Sequence, residues 1–443
     1  MAIRISFSKI DKILGEKILE ETTVTETKSF VPGIKYQSNS LKVQMFKDIG
    51  DDILLPFYYA KQLGFDHSKD RKKNWIQFPN KFSYLGVMRE HQNEILQEAL
   101  PFLVKNNSVI IGTPPGSGKT IMASKLWYEM GLLGIVIINR IEIHKGWVNT
   151  FKKVCPDCVI WIPGQKMPDK MPNIIISMDS QVLNIPEEIR MRIGTVIFDE
   201  IHLLCTQTRN ELFLSFEPKY VIMESATLEM DNGMHKMATL ISGPEGVFRI
   251  SKIPYNVYVI NTGIFGNQEY GKSGMISASL QKSLAENPER QNMILKIILN
   301  NLHRKFMVMY RVKAGIEEFV TKCIDNGIEA DSLYGTKKRY KNSKVLVGTV
   351  PKMGTGFDEE NACADFYLNP EKSNTMIIVN SIKKWQLYEQ VRGRVMRSDN
   401  PCIIWLMDDN PSGERHFNGL KKWFKETNGN IVYVNDIENF KIE

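Results

Sequence analysis

Short apolar runs separated by helical stretches recur along this chain and restrict the folds that it can adopt. Each run lacks the polar–apolar alternation of a half-exposed strand, as expected for strands buried on both faces of a parallel sheet. The first series consists of SVIIG (108–112), GIVIIN (134–139), NIIIS (173–177), TVIF (195–198) and YVIM (220–223). Strand–helix–strand alternation of this kind predicts a doubly wound α/β domain.

A second series of runs follows a stretch that breaks this rhythm. Residues from about 245 to 290 are rich in Gly, Asn and Ser, and we place the connection between two domains there. The later runs are KFMVMY (305–310), KVLVGT (344–349), ADFYLN (364–369), MIIVN (376–380) and CIIWLM (402–407). The sequence therefore predicts two α/β domains in tandem, over residues 85–250 and 251–443, with a cleft between them.

Residues 1–84 form a third predicted region. They hold 14 Lys or Arg and 10 Asp or Glu, so they contribute +4 to the net charge of +7. Apolar residues between Ser8 and Glu21 recur at helical spacing, and LKVQMF alternates like a strand. We predict a small α+β accessory domain. Its basic and aromatic end, residues 69–84, favours either nucleic-acid binding or a solvated linker with core aromatics.

Composition excludes several classes of protein. Six cysteines in 443 residues are too few for a disulfide scaffold, and no run approaches the ~18 apolar residues of a membrane span. The mild basic excess is compatible with a polyanionic partner. CPDC, residues 155–158, has zinc-ligand spacing, but without two further nearby ligands we interpret it as a loop. We expect a soluble, intracellular monomer without a membrane partner.

The segment GTPPGSGKT, from Gly112 to Thr120, lies between a predicted strand and a predicted helix. Its glycines let backbone N–H groups approach phosphates, and a helix N-terminus favours negative charge. Lys119 supplies a positive charge for the phosphates, and Thr120 supplies a hydroxyl for Mg²⁺. Thr113 stands where the strict spacing of a phosphate loop requires glycine. A Gly-Pro turn before a helix is the alternative, but the context favours nucleotide binding.

Two adjacent carboxylates end the run TVIFDEIH, residues 195–202. Asp199 is placed to hold Mg²⁺ through water, and Glu200 is placed to orient and deprotonate an attacking water. A solvated acidic turn after a strand is the alternative. The phosphate loop 80 residues upstream, in the same predicted sheet, favours the catalytic interpretation.

Two further segments carry weaker signals. SAT, Ser225 to Thr227, follows the last strand of the first series. In QVRGRVMR, Arg394 and Arg397 are three residues apart, so on a helix they share a face. Two guanidinium groups on one face suit a γ-phosphate across a cleft, where they would stabilise transition-state charge. A solvated basic helix is the alternative.

In this order and spacing, the four segments resemble the motifs of superfamily 2 helicases of the DExH type. GTPPGSGKT resembles motif I, DEIH motif II, SAT motif III and QVRGRVMR motif VI. The resemblance runs from about residue 85 to about 410. It is greatest to helicases of large DNA viruses and phages, such as the poxvirus transcript-release and phage branch-migration helicases. It implies two RecA-like domains with a small N-terminal domain, and a viral or phage origin.

The resemblance also implies roles for single residues. Arg89 and Gln92, in MREHQ, resemble the adenine-reading element that precedes motif I. The nucleotide would be bound by these two residues together with Pro115, Gly116, Ser117, Gly118, Lys119, Thr120, Gly356 and Asp358. Catalysis would use Lys119, Asp199, Glu200, Gln390, Arg394 and Arg397, with Thr120 and Asp199 at Mg²⁺. Nucleic acid would contact Arg140, Ser177, Arg311 and Thr349, while His202, Ser225 and Thr227 would couple the two sites. Asn139-Arg140 departs from the usual Pro-Thr, and residues 334–344 are shorter than the family's insertion, which suggests a trimmed second domain.

The implied activity is a nucleic-acid-stimulated ATPase that uses ATP and Mg²⁺ to move along one strand. DNA is the expected substrate, with unwinding, branch migration or transcript release as the outcome. An RNA helicase, a non-catalytic nucleic-acid-binding virion component and the motor of a restriction enzyme are the alternatives. We find no nuclease-like carboxylate–lysine cluster for the last of these. The expected partners are a polymerase or replication and recombination proteins, in the host cell or in the virion.

Overall fold

The computed structural model describes residues 1–26, 41–66, 74–225, 230, 232–271, 274–275, 277–354 and 357–443. They form two compact units. The first comprises Met1–Thr113 and Ser117–Arg249, and the second comprises Pro114–Gly116 and Ile250–Glu443. Each unit contains one seven-stranded parallel sheet, so the predicted tandem of doubly wound α/β domains is confirmed. Among the described residues, no helix has the length and apolar character needed to cross a membrane.

The N-terminal elements belong to the first unit. They are β1 (Ala2–Ser6), α1 (Lys12–Thr22), β2 (Thr23–Thr25), β3 (Lys42–Gln44), β4 (Lys47–Ile49), β5 (Asp52–Pro56) and α2 (Phe57–Gln62). Strands β1, β5 and β4 form an antiparallel sheet, and β2 pairs with β3. Met1, Leu55 and Phe57 lie in the same apolar core as Ile137 and Phe198 of the large sheet. This region therefore has the predicted mixture of helix and strand and is packed on the sheet that follows.

The strands of the first large sheet are β6 (Ser108–Gly112), β7 (Gly134–Ile138), β8 (Ile160–Trp161), β9 (Ile174–Met178), β10 (Thr195–Phe198), β11 (Tyr220–Ser225) and β12 (Gly246–Phe248). Their order is β12-β6-β11-β10-β7-β9-β8. The helices are α3 (Glu90–Asn106), α4 (Lys119–Met130), α5 (Ile141–Val154), α6 (Glu187–Arg190), α7 (Asn210–Leu214) and α8 (Lys236–Ser242). Both faces of the sheet are covered, which is why its interior strands read as continuous apolar runs.

The second unit repeats this plan. Its strands are β13 (Tyr255–Asn261), β14 (Tyr270–Gly271), β15 (Gly274–Met275), β16 (Phe306–Tyr310), β17 (Ala330–Leu333), β18 (Val345–Thr349), β19 (Thr375–Ile378), β20 (Cys402–Met407) and β21 (Gly429–Val434). The large sheet has the order β17-β18-β16-β19-β20-β13-β21, and β14 pairs with β15. The helices are α9 (Ser277–Glu286), α10 (Pro288–Asn300), α11 (Ile316–Asp325), α12 (Val350–Met353), α13 (Glu359–Ala362), α14 (Trp385–Arg392) and α15 (Pro411–Glu426).

Two predicted elements of the second unit are corrected by the structure. The predicted strand at 364–369 is wrong, because Phe366–Leu368 is a turn of 3-10 helix. Its side chains Tyr367 and Leu368 are 78% and 70% exposed, so this apolar run does not enter the sheet. The stretch predicted as a connection contains β13, which lies between β20 and β21. β13 is itself buried, but the Gly, Pro and Asn residues that flank it made this stretch resemble a linker.

Candidate active site

The phosphate loop lies at the carboxyl edge of the first large sheet, between the end of β6 and the start of α4 at Lys119. Gly118 has a φ of +87°, a left-handed backbone that favours glycine. Lys119 Nζ donates a hydrogen bond to the carbonyl oxygen of Thr113 (3.1 Å). Thr113 Oγ1 lies 2.7 Å from Ser117 Oγ. Thr113, which departs from the strict spacing of a phosphate loop, therefore takes part in the hydrogen bonds within the loop.

Gln92, predicted to read adenine, lies against this loop. Its Nε2 donates to the carbonyl oxygen of Ser117 (2.9 Å), and its Oε1 accepts from the backbone N–H of Arg89 (2.9 Å). A Cβ on Gly118 would come 2.1 Å from Gln92 Nε2, so the loop closely fits this side chain. Helix α3 thus places Gln92 at the phosphate loop, with Arg89 next to it as the N-cap residue, while their contact with adenine stays a prediction.

Asp199 follows β10 and is held inside the protein. The side chain accepts a hydrogen bond from Trp147 Nε1 (2.7 Å), on α5, and the residue is only 6% exposed. Burial raises the pKa of the Asp199 carboxyl to about 6, and the charge of Glu200 adds to this rise. The Trp147 hydrogen bond and the Lys119 charge oppose it. Trp147 therefore fixes one of the two predicted catalytic carboxylates.

Glu200 adopts a left-handed backbone, with φ +49° and ψ +53°, which is uncommon for a residue with a Cβ. This turn brings its Oε1 to 3.9 Å from Lys119 Nζ and its Oε2 to 3.4 Å from His202 Nδ1. His202 Nδ1 also lies 2.9 Å from Ser225 Oγ, and burial lowers the pKa of His202. The predicted coupling residues His202 and Ser225 are thus joined to the catalytic carboxylate. Thr227 lies outside the described residues.

Glu224 is a feature of this site that the sequence interpretation missed. β10 and β11 are paired with Phe198 opposite Met223, so Asp199 and Glu224 follow side by side. Glu224 is fully buried, and in the described part of the chain neither of its carboxyl oxygens has a hydrogen-bond partner. Its pKa is raised by burial and by the charges of Asp199 and Glu200, against the effect of Lys119. The apolar run YVIM followed by a single Glu was the available signal.

The predicted nucleic-acid contacts of the first unit differ in exposure. Arg140 precedes the first turn of α5 and is partly exposed. Ser177, in β9, is fully buried, and its Oγ donates to the carbonyl oxygen of Met178 (2.9 Å). The structure therefore offers Arg140 at the surface and encloses the hydroxyl of Ser177, whose nucleic-acid contact stays a prediction.

In the second unit, the structure brings Arg394, Arg397 and Asp358 together. Helix α14 ends at Arg392, so both arginines lie in the turns beyond it, and the predicted shared helical face is wrong. The helix stops before Gly393, and the following turns still direct both side chains to one segment. Arg394 Nη1 donates to the carbonyl oxygen of Phe357, and Arg397 Nη1 lies 2.7 Å from Asp358 Oδ2.

The other predicted residues of this unit lie at the ends of strands or helices. Thr349 ends β18 and is 6% exposed, while Arg311 follows β16 and is exposed. Gln390 is a buried residue of α14. Gly356 lies outside the described residues. The roles of these side chains toward nucleic acid and nucleotide stay predictions.

Comparison with known proteins identifies the family. Residues 86–230 match the family model described as the type III restriction enzyme, res subunit. Protein 161L of Invertebrate iridescent virus 6, whose name describes it as a helicase, is 26% identical over the full length of both chains. The chain belongs to the superfamily 2 helicases. The family predicted from the four motifs is therefore confirmed.

Two more comparisons place this helicase. It is 23% identical to the DNA 3'-5' translocase XPB2 of Sulfurisphaera tokodaii, over 57% of this chain and 58% of that one. Its fold resembles that of S. cerevisiae Dbp5 bound to RNA and ADP BeF3, with a TM-score of 0.52. The identity there is 13%, over 86% of this chain and 96% of Dbp5. The two RecA-like domains predicted for the helicase are confirmed.

The helicase has a donor set compatible with a magnesium nucleotide. The carboxyl groups of Asp199 and Glu200 lie beside the ammonium group of Lys119, and carboxylate oxygens are ligands that Mg²⁺ accepts. No group of three or more His, Cys, Asp or Glu in the described residues has metal-site geometry. Magnesium usually keeps several waters and takes only one or two protein carboxylates.

Two other predicted features of the helicase, the CPDC loop and the basic and aromatic segment, can be compared with the structure. Cys155 and Cys158 are both buried at the end of α5, where burial raises the pKa of Cys155 to about 12. In the basic and aromatic segment, Phe78 and Phe82 pack on Trp127, with ring centroids 4.8 and 5.6 Å from the indole. These rings therefore serve the core of the first unit. Residues 67–73, with most of the segment's basic side chains, lie outside the described residues.

Proposed function

We propose that this helicase is an ATP-driven motor that moves along DNA and remodels it. The observation that carries the proposal is the convergence of Lys119, Asp199 and Glu200 at one sheet edge, with Lys119 Nζ 3.9 Å from Glu200 Oε1. A nucleic-acid-binding virion component that does not hydrolyse ATP needs no such arrangement. The site supports hydrolysis of a nucleoside triphosphate.

Each residue has a chemical role in this proposal. Lys119 binds the β- and γ-phosphates together with the backbone N–H groups of the loop. Glu200 orients the attacking water and accepts its proton, since a carboxylate can act as the general base. Arg394 and Arg397 stabilise the charge that develops on the transferred phosphoryl group.

Thr120 and Asp199 would hold the magnesium ion of the nucleotide. The hydroxyl and the carboxylate are hard oxygen ligands, which Mg²⁺ prefers. When bound, Mg²⁺ neutralises negative charge on the β- and γ-phosphate oxygens. The Trp147 hydrogen bond orients Asp199 for this role and favours its ionised form.

We propose DNA as the track, with RNA as the alternative. The similarity to a protein named as a DNA translocase supports this choice. Branch migration and release of a transcript from a polymerase are two outcomes that such a motor produces. We further propose that it acts in cells infected by a large DNA virus, alongside replication, recombination or transcription proteins, because an iridescent-virus protein matches it over its full length.

One set of ATPase measurements tests the proposal. Hydrolysis is measured with single-stranded DNA, duplex DNA, branched DNA and RNA of matched length, with Lys119→Ala as the inactive control. We expect DNA to stimulate hydrolysis more than RNA. Stimulation by RNA alone would make the protein an RNA helicase, and no hydrolysis under any condition would reject the motor.

A further inference from the structure

Three basic residues gather at the carboxyl edge of the second large sheet, and of these only Arg311 belongs to the predicted nucleic-acid contacts. Arg311 directly follows β16, Lys383 follows β19, and Arg415 lies in the second turn of α15, which follows β20. The strands β16, β19 and β20 are neighbours and parallel, so their carboxyl ends meet at one edge. All three basic side chains are exposed.

Hydrogen bonds hold the three elements together at this point. The backbone N–H of Arg311 donates to Asn380 Oδ1 (3.0 Å), and its Nη1 donates to the carbonyl oxygen of Ser381 (3.4 Å). Ser381 Oγ lies 2.8 Å from His416 Nδ1, on α15. The loop after β19 is thereby fixed to both neighbours, so the cluster has a defined geometry.

The charged side chains of this cluster are all positive. Burial lowers the pKa of His416, and the charges of Arg311, Lys383 and Arg415 lower it further, so all three cations lie near this ring. Over the described ranges of the chain, no carboxylate pairs with any of these three cations. Like charges held together without a counter-ion repel one another, and a bound anion relieves this repulsion.

We propose that Arg311, Lys383, Arg415 and His416 form a binding site for consecutive phosphates of the nucleic-acid strand. This inference rests on the proposed function and extends it to the loop after β19 and to α15. Thr349, at the end of β18, lies on the far side of β16 along the same edge. Three strand spacings, from β18 to β20, span about 14 Å, which equals roughly four nucleotides at about 3.4 Å each along a duplex strand.

The salt dependence of binding tests this site. Affinity of the full chain for a single-stranded DNA oligonucleotide is measured over a range of salt concentrations, for the wild type, Lys383→Ala and Arg415→Ala. Removal of one phosphate-binding cation should lower the slope of log K against log salt by about 0.7. Arg415→Lys should restore the slope, because a positive charge remains.

A matched control comes from the same helix. Lys425 is exposed in the last turn of α15, ten residues and about 15 Å along the axis from Arg415. Lys425→Ala should bind with the wild-type slope. Unchanged slopes for Lys383→Ala and Arg415→Ala, in proteins with wild-type thermal unfolding, would overturn the site. A different measurement tests the proposed function itself. If that function is wrong, nucleic acid does not stimulate the ATPase activity of the wild-type protein.

Discussion

In the proposed mechanism, Lys119 and Glu200 share one site but perform separable steps. Lys119→Ala removes the charge that binds the phosphates, so we expect weaker binding of a fluorescent ATP analogue and no hydrolysis. Glu200→Gln removes only the base, so binding should persist while turnover falls by about 10²–10⁴-fold. Phosphate release and analogue binding measure the two effects. If Glu200→Gln hydrolyses ATP at the wild-type rate, another group must activate the water.

Glu224 should make the stability of the protein depend on pH. Its pKa in the folded protein lies above the value of about 4.3 in the unfolded chain, mainly because of burial. The folded state therefore binds the additional proton, and the free energy of unfolding falls as pH rises above about 4.3 towards the folded-state pKa. Glu224→Gln should flatten this decline. Urea unfolding at pH 5, 6, 7 and 8 without nucleotide measures it, and equal declines in both proteins would contradict it.

Residues of the candidate ATP site could be predicted from the sequence where their immediate neighbours along the chain determine their position. Gly118 and Lys119 follow a strand and begin a helix, and Asp199 ends a strand, so each is placed by its own neighbours in sequence. Glu224 was missed because its burial depends on the neighbouring strands β6 and β10 and on the helix over them. A lone Glu at the end of an apolar run normally marks the point where a strand meets solvent.

At the scale of elements, most interior strands were predictable and edge strands were not; β13, an interior strand between β20 and β21, is the exception. The runs that became β6, β10 and β16 are apolar throughout because both of their faces are covered. β8, with two residues, and β21, which is half-exposed, lie at sheet edges and lack that signal. Residues 366–368 show the opposite error, since an apolar run there is exposed in a turn. Pairing with neighbours, which local sequence does not record, decides these cases.

The turns that follow α14 allow the two arginines to be distinguished. Arg394 is 7% exposed, whereas the pair Arg397–Asp358 is partly exposed. We expect Arg394→Ala to reduce turnover by about 10³-fold, the scale of an arginine finger, and to lower stability because it removes a buried hydrogen bond to Phe357. Arg397→Ala should also slow turnover but cost less than ~1 kcal/mol of stability, as exposed ion pairs do.

Single-turnover hydrolysis and urea unfolding of both variants check this expectation. Nucleic-acid affinity without nucleotide should be retained in both. Normal turnover combined with weakened affinity would instead make these arginines contacts to the strand.

At the scale of the whole molecule, the contacts of residues 1–84 indicate whether the rest of the first unit can fold without them. The backbone N–H of Leu133 donates to the carbonyl oxygen of Ile76 (2.7 Å), and the N–H of Phe78 donates to Gly131 (3.0 Å). Met1 and Phe57 are buried in the core beneath the large sheet. The segment is thus joined to the sheet by backbone hydrogen bonds as well as by apolar contacts.

We therefore expect a chain that begins at residue 85 to lose its cooperative fold. Each fully buried large apolar side chain contributes roughly 1.5–3 kcal/mol, and a domain is stable by only about 5–15 kcal/mol. Ile3, Ile5, Leu55 and Phe57 belong to the shared core, so their removal alone approaches or exceeds that margin. Thermal unfolding and solubility of the truncated chain, compared with the full chain, measure this. A soluble 85–443 chain with a sharp transition and nucleic-acid-stimulated ATPase would show instead that residues 1–84 form an independent accessory domain.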